Sequence, residues 1–319
     1  PVLFNEVVVI SPEGAQLGVD VINGKADRTS DRIEKGKRVI VQTWDNPPII
    51  AEEPMSPAPT ENLPIVVGST FRSWDDFRSW YRGAIEGFTE PDEQVKRLAA
   101  ELTKGKKSEQ EKLEALFNYV ADDIRYVNYV SAEDWLPNRP QVCLSLKKGD
   151  CDDKAILLIS LLRAVGITAT PVLVQTRMTG MPSVLAGKSA AAPLFDHGIA
   201  FLPGKAGSAG TWLDATSPES RLGPLPSMDA RAKALFIYEG DAKIIDTPPG
   251  NLNDNGVTLN WEVNVDAQGG ATIKGSENHL GDWAFELRRN LKEEGARAQY
   301  VESYLSRWLP TLDLAPGIT

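Results

Sequence analysis

Cysteine and histidine are scarce in this chain of 319 residues, two of each, and basic residues are outnumbered by acidic ones, 34 to 44. Cys143 and Cys151 give no disulfide framework and too few ligands for a structural zinc site, so the redox compartment cannot be read from them. The net charge of -10 repels phosphate backbones, and the cations are scattered rather than striped. Together these features exclude nucleic acid as an expected partner. No apolar run approaches the roughly 18 residues that span a bilayer, so no transmembrane segment is expected. No acidic calcium loop and no cluster of metal-ligating residues is present in the linear sequence, and no cofactor is expected. Repeats and low-complexity tracts are also lacking. The chain opens at Pro1 with no signal-like segment and closes at Thr319 with no obvious finish, which reads as a piece of something longer.

What is present is the composition of a globular protein, 42% hydrophobic and 24% charged, long enough for two or three domains. Residues 1–50 alternate apolar stretches (Val7 to Ile10, Val19 to Ile22, Arg38 to Trp44) with turn residues, as short antiparallel strands do. Prolines 47, 48, 54, 57, 59 and 64 then mark an extended strap rather than a helix or central strand. Helical patterning follows. Ser73 can cap a helix presenting Phe77, Trp80, Tyr81 and Ile85, and a second helix follows Pro91. Ser108 to Glu111 is a capping box ahead of Leu113, Leu116, Phe117, Val120 and Ile124. The stretch Cys151 to Val165 is apolar nearly all round and stops at Gly166, which predicts a buried helix. Strands are expected at 169–176, 195–202 and 211–215, giving an α+β fold with an antiparallel sheet. Beyond about 245 a hairpin (Val257 to Val265, turn at Asp266 to Gly270) leads into helix over 282–309. The expected division is a β-rich part with its strap over 1–70, a core over 71–245, and a hairpin plus helix over 246–319 that starts a further β-rich domain.

The chemistry concentrates at Gly149-Asp150-Cys151-Asp152-Asp153-Lys154. A thiol at a helix N-terminus sits among free N–H groups and a partial positive charge, which favour thiolate and can also hold an oxyanion. A thiol nucleophile needs a base, and only His197 and His279 are available. His197 lies in a predicted strand, with Asp196 turned to the opposite face by the pleat. Asp214, on the next strand, can orient the imidazole and stabilise its charged form. His279 lies outside any motif and is expected at the surface. Cys143 is expected to pack in the core, with a Cys143–Cys151 disulfide as the alternative. Asp152, Asp153 and Lys154 read as first-turn helix charges. For the oxyanion donor upstream of the cysteine, Gln141, Trp135 or Tyr129 could serve, with Gln141 and Trp135 ranked equal.

GDCDDKAILLISLLRAVGI, FDHGIAFL and WLDAT, in that order, resemble the three core motifs of the transglutaminase-like superfamily, which has a papain-like Cys-His-Asp fold. The resemblance implies a helix bundle against an antiparallel sheet and a triad of Cys151, His197 and Asp214. It implies acyl transfer on a peptide or carboxamide bond through an acyl-enzyme at Cys151, as a protease, amidase or transglutaminase. The runs Trp44 to Pro64, Phe71 to Phe77 and Leu222 to Pro226 are similar to a bacterial subfamily with flanking β-rich domains, which implies a periplasmic or cell-surface location and a protein or peptide substrate. That subfamily commonly has lysine where this chain has Asp152, and an acid there opposes the thiolate. The competing expectation is a catalytically silent module of the same fold that binds a protein or glycan.

Overall fold

The computed structural model describes residues 2–47, 59–128, 135–178, 189–204, 209–218, 220–223, 225–238, 244–251 and 253–309, with the single positions 54, 56, 311 and 313. It is an α+β protein, as its sequence pattern predicts. Strands β1 (Phe4–Pro12), β2 (Gly18–Ile22), β3 (Arg28–Glu34) and β4 (Lys37–Asp45) open the chain. A three-stranded antiparallel sheet runs β1-β4-β3. Strand β4 is buried on both faces, through the adjacent Val39 and Ile40 and through Trp44. The edge strand β3 pairs with β4 along its length, and Arg38 to Asp31 and Thr29 to Gln42 add side-chain bonds across the pair. A charged edge of this kind discourages further strand pairing. The proline-rich strap is described only in part: it contains a single helical turn, α1 (Pro59–Asn62), and leads to β5 (Ile65–Ser69), which pairs with β2.

Three helices follow where the caps predict them. In α2 (Trp74–Ala84) the Ser73 side chain accepts from Asp76 N, and in α3 (Glu93–Leu102) Asp92 accepts from Val95 N. In α4 (Glu109–Asp123) the Ser108/Glu111 capping box is closed in both directions. Phe77, Tyr81 and Ile85 of the α2 segment are buried, whereas Trp80 stays largely exposed and stacks on Trp135. Short parallel strands β6 (Arg125–Tyr126) and β7 (Lys148–Gly149) flank α5 (Pro140–Leu146). Helix α6 (Cys151–Ala164) is the centre of the core: all of its residues from Asp153 to Leu162 are buried. Leu157, Leu158, Leu161 and Leu162 pack there against Val95, Leu116, Phe117 and Val120 of α3 and α4. Truncating one such leucine to alanine removes about 2–5 kcal/mol of stability.

The other face of α6 lies on a five-stranded antiparallel sheet of β8 (Thr170–Gln175), β9 (His197–Leu202), β10 (Thr211–Leu213), β11 (Lys233–Phe236) and β12 (Ile244–Asp246), ordered β10-β9-β8-β11-β12. Gly198 lets the helix approach β9. A Cβ at that position would stand 1.7 Å from Asp152 Oδ1 and 3.3 Å from the Asp152 Cα. The chain ends in a hairpin, β13 (Gly256–Val265) with β14 (Ala271–Leu280), then α7 (Asp282–Asn290) and α8 (Glu294–Leu305). The expected single helical stretch over 282–309 is therefore two helices.

Candidate active site

Helix α6 begins at Cys151 because Asp150 caps it. The Asp150 side chain accepts from Asp153 N at 3.0 Å, and Asp153 returns a bond to Asp150 N. Asp153 also accepts from Asn138 N at 2.6 Å, tying the segment before α5 to the helix start. Gly149 is needed just before the cap, since a Cβ there would lie 2.6 Å from Asp153 Cβ. Lys154, read from sequence as a first-turn charge, is wholly buried: its ammonium donates to Ile124 O at 2.8 Å, Thr216 O at 3.2 Å and Ala121 O at 3.4 Å. It thus caps the carbonyl end of α4 and fastens the segment after β10 to α6. Burial pulls its pKa down to about 8.

The fold brings together the three residues of the expected triad. The Cys151 thiol lies near enough to His197 for each to shift the other's proton affinity. His197 Nε2 lies 3.3 Å from Asp214 Oδ2, and both side chains are buried. Asp214 is held in turn: its Oδ1 accepts from Thr216 N at 2.8 Å and from the Thr216 hydroxyl. Asp196 is engaged elsewhere, accepting from Thr176 N and Oγ1 at 2.7 Å each, as the pleat requires. Both cysteines are free thiols, and Cys143 is buried in the core.

The electrostatics differ from a simple activated thiol. Burial pushes the Cys151 thiol above its ordinary range, and the nearby Asp152 pushes the same way. The His197 hydrogen bond pulls it down without winning. For His197, burial disfavours the charged ring, but the Asp214 carboxylate and the hydrogen bonds to Asp214 and Cys151 prevail and hold its proton well above the usual range. Burial would also raise Asp214, yet His197 and the Thr216 bonds hold it far below a normal carboxylate. Asp152 is itself raised to about 7 by burial and Asp150. Each of the two groups, taken singly, is pushed toward its protonated form, and a titrating acid lies next to the nucleophile.

Two of the three candidate oxyanion donors are among the described residues. The Gln141 side chain is hydrogen-bonded to Asp92 at the cap of α3. Trp135 packs among Phe77, Trp80 and Tyr81. Tyr129 lies outside the described residues. The residues closest in charge to the pair are ones the sequence did not single out. Tyr126, an exposed residue of β6, is near enough to Cys151, His197, Asp150 and Asp214 for their charges to act on its phenol. Asp229 is wholly buried with a carboxylate oxygen 3.8 Å from His197 Nε2. It comes from a turn before β11, with no motif or periodicity to mark it. One ligand atom each from His197, Asp214 and Asp229 lie within 4.8 Å of one another, so the three could hold a cation. Because Asp214 is already committed to Thr216 and His197, a cation would have to break the His–Asp contact, and a hydrogen-bonded group fits these atoms better. The second histidine is part-buried at the surface: the His279 side chain is 9% exposed and bonds Glu277 at 2.9 Å. It lines an open cleft with Asp122, Arg221, Arg288 and Lys292.

Residues 96–197 match the Transglutaminase-like superfamily, so the chain carries a transglutaminase-like core that includes Cys151 and His197. Among solved structures, a candidate protease from Parabacteroides distasonis shares the fold, with a TM-score of 0.62 at 16% identity over 83% of this chain and 51% of that one. The chain thus spans about half the length of that protein. A candidate cysteine protease from Cytophaga hutchinsonii aligns with a TM-score of 0.33 at 14% identity over 87% of this chain and 76% of that one. No curated protein matches the chain. Among the described residues no helix is long and apolar enough to cross a membrane.

Proposed function

Taking the transglutaminase-like core as the premise, we propose that this protein is a thiol-dependent acyl-transfer enzyme that uses Cys151 as nucleophile, His197 as base and Asp214 as the residue orienting the imidazole. The observation that carries this reading is the buried His197–Asp214 contact beside a thiol at the first position of α6. In its neutral form His197 takes up the thiol proton as sulfur attacks the carbonyl carbon, and the resulting imidazolium returns it to the leaving amine. Free N–H groups in the first turn of α6 are suited to the oxyanion of the tetrahedral intermediate. Water or an amine then resolves the acyl-enzyme. Peptide and carboxamide bonds are the substrate class.

A raised thiol pKa and the acid at Asp152 favour the second reading, a silent binding module, to the extent that they oppose thiolate formation. Treatment with p-nitrophenyl acetate separates the two. An enzyme gives an acetyl adduct on Cys151 in intact-mass spectra that turns over in wild type and accumulates far more slowly in His197→Ala. A binding module acetylates no faster in wild type than in the variant.

A further inference from the structure

Asp229 is a buried acid that the relay leaves without a role. It is wholly buried, and neither carboxylate oxygen accepts a bond from a protein N–H or hydroxyl donor. One of its oxygens is 3.8 Å from the same His197 nitrogen that faces Asp214 at 3.3 Å. The turn that carries it is held in place: Asp229 N donates to Pro226 O at 3.0 Å, and the Thr247 hydroxyl donates to Asp229 O. Ser227 N donates to Asp282 at 2.9 Å on the same turn. The carboxyl group is thus pinned where it has no donor, and a buried carboxylate without one is strongly disfavoured. An oxygen of Asp214 lies within 4.8 Å of one of the Asp229 oxygens, and the ionised Asp214 carboxylate can accept but not donate.

We propose that Asp229 is a positioning residue of the thiol site, present as the neutral acid, which donates its carboxyl hydrogen to Asp214 and so braces the carboxylate that orients His197. The inference rests on the thiol-enzyme reading and adds a fourth member to its relay. Burial, together with the Asp214 charge, raises the Asp229 pKa to about 8, with His197 opposing. The groups that bear on it come from every side: His197 and Asp196 at the start of β9, and Asp214 after β10. Behind Asp214 lies Lys154 of α6, and beyond His197 lie Cys151 and Asp152 of α6 and Tyr126 of β6. With its proton in place, Asp229 leaves a single negative charge against the imidazolium. When the proton leaves to solvent, a second charge binds the imidazolium more tightly and repels Asp214.

The test uses the full chain labelled with carbon-13 at aspartate Cγ and at histidine, whose two residues make the imidazole spectrum simple to assign. The Asp229 resonance, identified by its loss in Asp229→Asn, is expected to show the neutral acid through pH 7 and to ionise near pH 8. His197 is expected to titrate at lower pH in Asp229→Asn than in wild type, because the variant never gains the second charge. Iodoacetamide labelling of Cys151 at pH 7 is expected to be about threefold slower in Asp229→Ala than in Asp229→Asn, which keeps a neutral donor of the same size. An Asp229 that titrates with ordinary carboxylates near pH 4 overturns the proposal. So does a His197 titration that Asp229→Asn leaves unmoved, or a stoichiometric divalent metal found by elemental analysis in wild type and lost in Asp229→Ala. Failure of the thiol-enzyme reading appears separately, as Cys151 labelling in wild type that does not depend on His197, whatever the titration of Asp229.

Discussion

The chain has two histidines, and each is paired with a carboxylate: His197 with Asp214 at 3.3 Å, His279 with Glu277 at 2.9 Å. By distance alone the second pair is the better one. It joins residues two apart on the same face of β14, where the pleat brings them together without any tertiary requirement, and it lines an open cleft. The first pair joins two neighbouring strands, is buried, and lies against a thiol at a helix start. A histidine–acid contact is therefore a weak sign of chemistry. Burial that forces every polar group to find a partner, together with a nucleophile delivered from another element, is what marks one pair and not the other.

The largest effect should separate the two histidines directly. His197→Ala should slow turnover of the Cys151 acyl adduct by about 10²- to 10⁴-fold, the range for losing a general base, and His279→Ala should change it by less than about twofold. Equal effects in the two variants would erase the distinction. Next in size is stability. Lys154→Met strands three buried carbonyls and should remove about 3 kcal/mol in urea unfolding, whereas Lys292→Met, exposed beside His279, should stay within about 0.5 kcal/mol. A smaller effect belongs to Asp152. Its carboxyl ionises near pH 7, so its charge opposes the thiolate above that pH and not below it. Asp152→Asn should accelerate Cys151 alkylation by about fivefold at pH 8 and scarcely at pH 6. A gain equal at both pH values would mean that Asp152 acts through packing against Gly198 rather than through charge.

The sequence made the segments with one strong period readable. Ser108 and Glu111 announce α4, the apolar run to Gly166 announces α6, and β8 and β9 fall close to where they are expected. The three triad residues could be picked because each sits in a motif whose order and spacing resemble a known core. What stayed hidden has a common cause: the determining contact is tertiary. Strand β3 reads as polar because its partners are charged side chains across an edge. Helix α5 is short and uncapped by any side chain, starting on Pro140. Asp152 looked like a solvated first-turn charge, yet α6 packs its first turn on Gly198. Asp229 lies fifteen residues after Asp214 in the sequence, and only the antiparallel return of β11 on β8 brings its turn back to His197. Strand β13 alternates strictly, yet its Leu259, Trp261, Val263 and Val265 remain exposed. A period of two reports a pleat and not what covers it.

The most direct test of the central claim is the pH dependence of iodoacetamide labelling at Cys151, mapped by mass spectrometry against Cys143, in wild type and His197→Ala. Burial holds the Cys143 thiol up at about 12, so that residue serves as an internal unreactive standard in the folded protein. An assembled relay predicts that Cys151 labels faster than Cys143 across neutral pH and that much of this advantage is lost without the His197 hydrogen bond. Identical Cys151 profiles in the two proteins would contradict it, since the thiol would then owe nothing to the imidazole it touches.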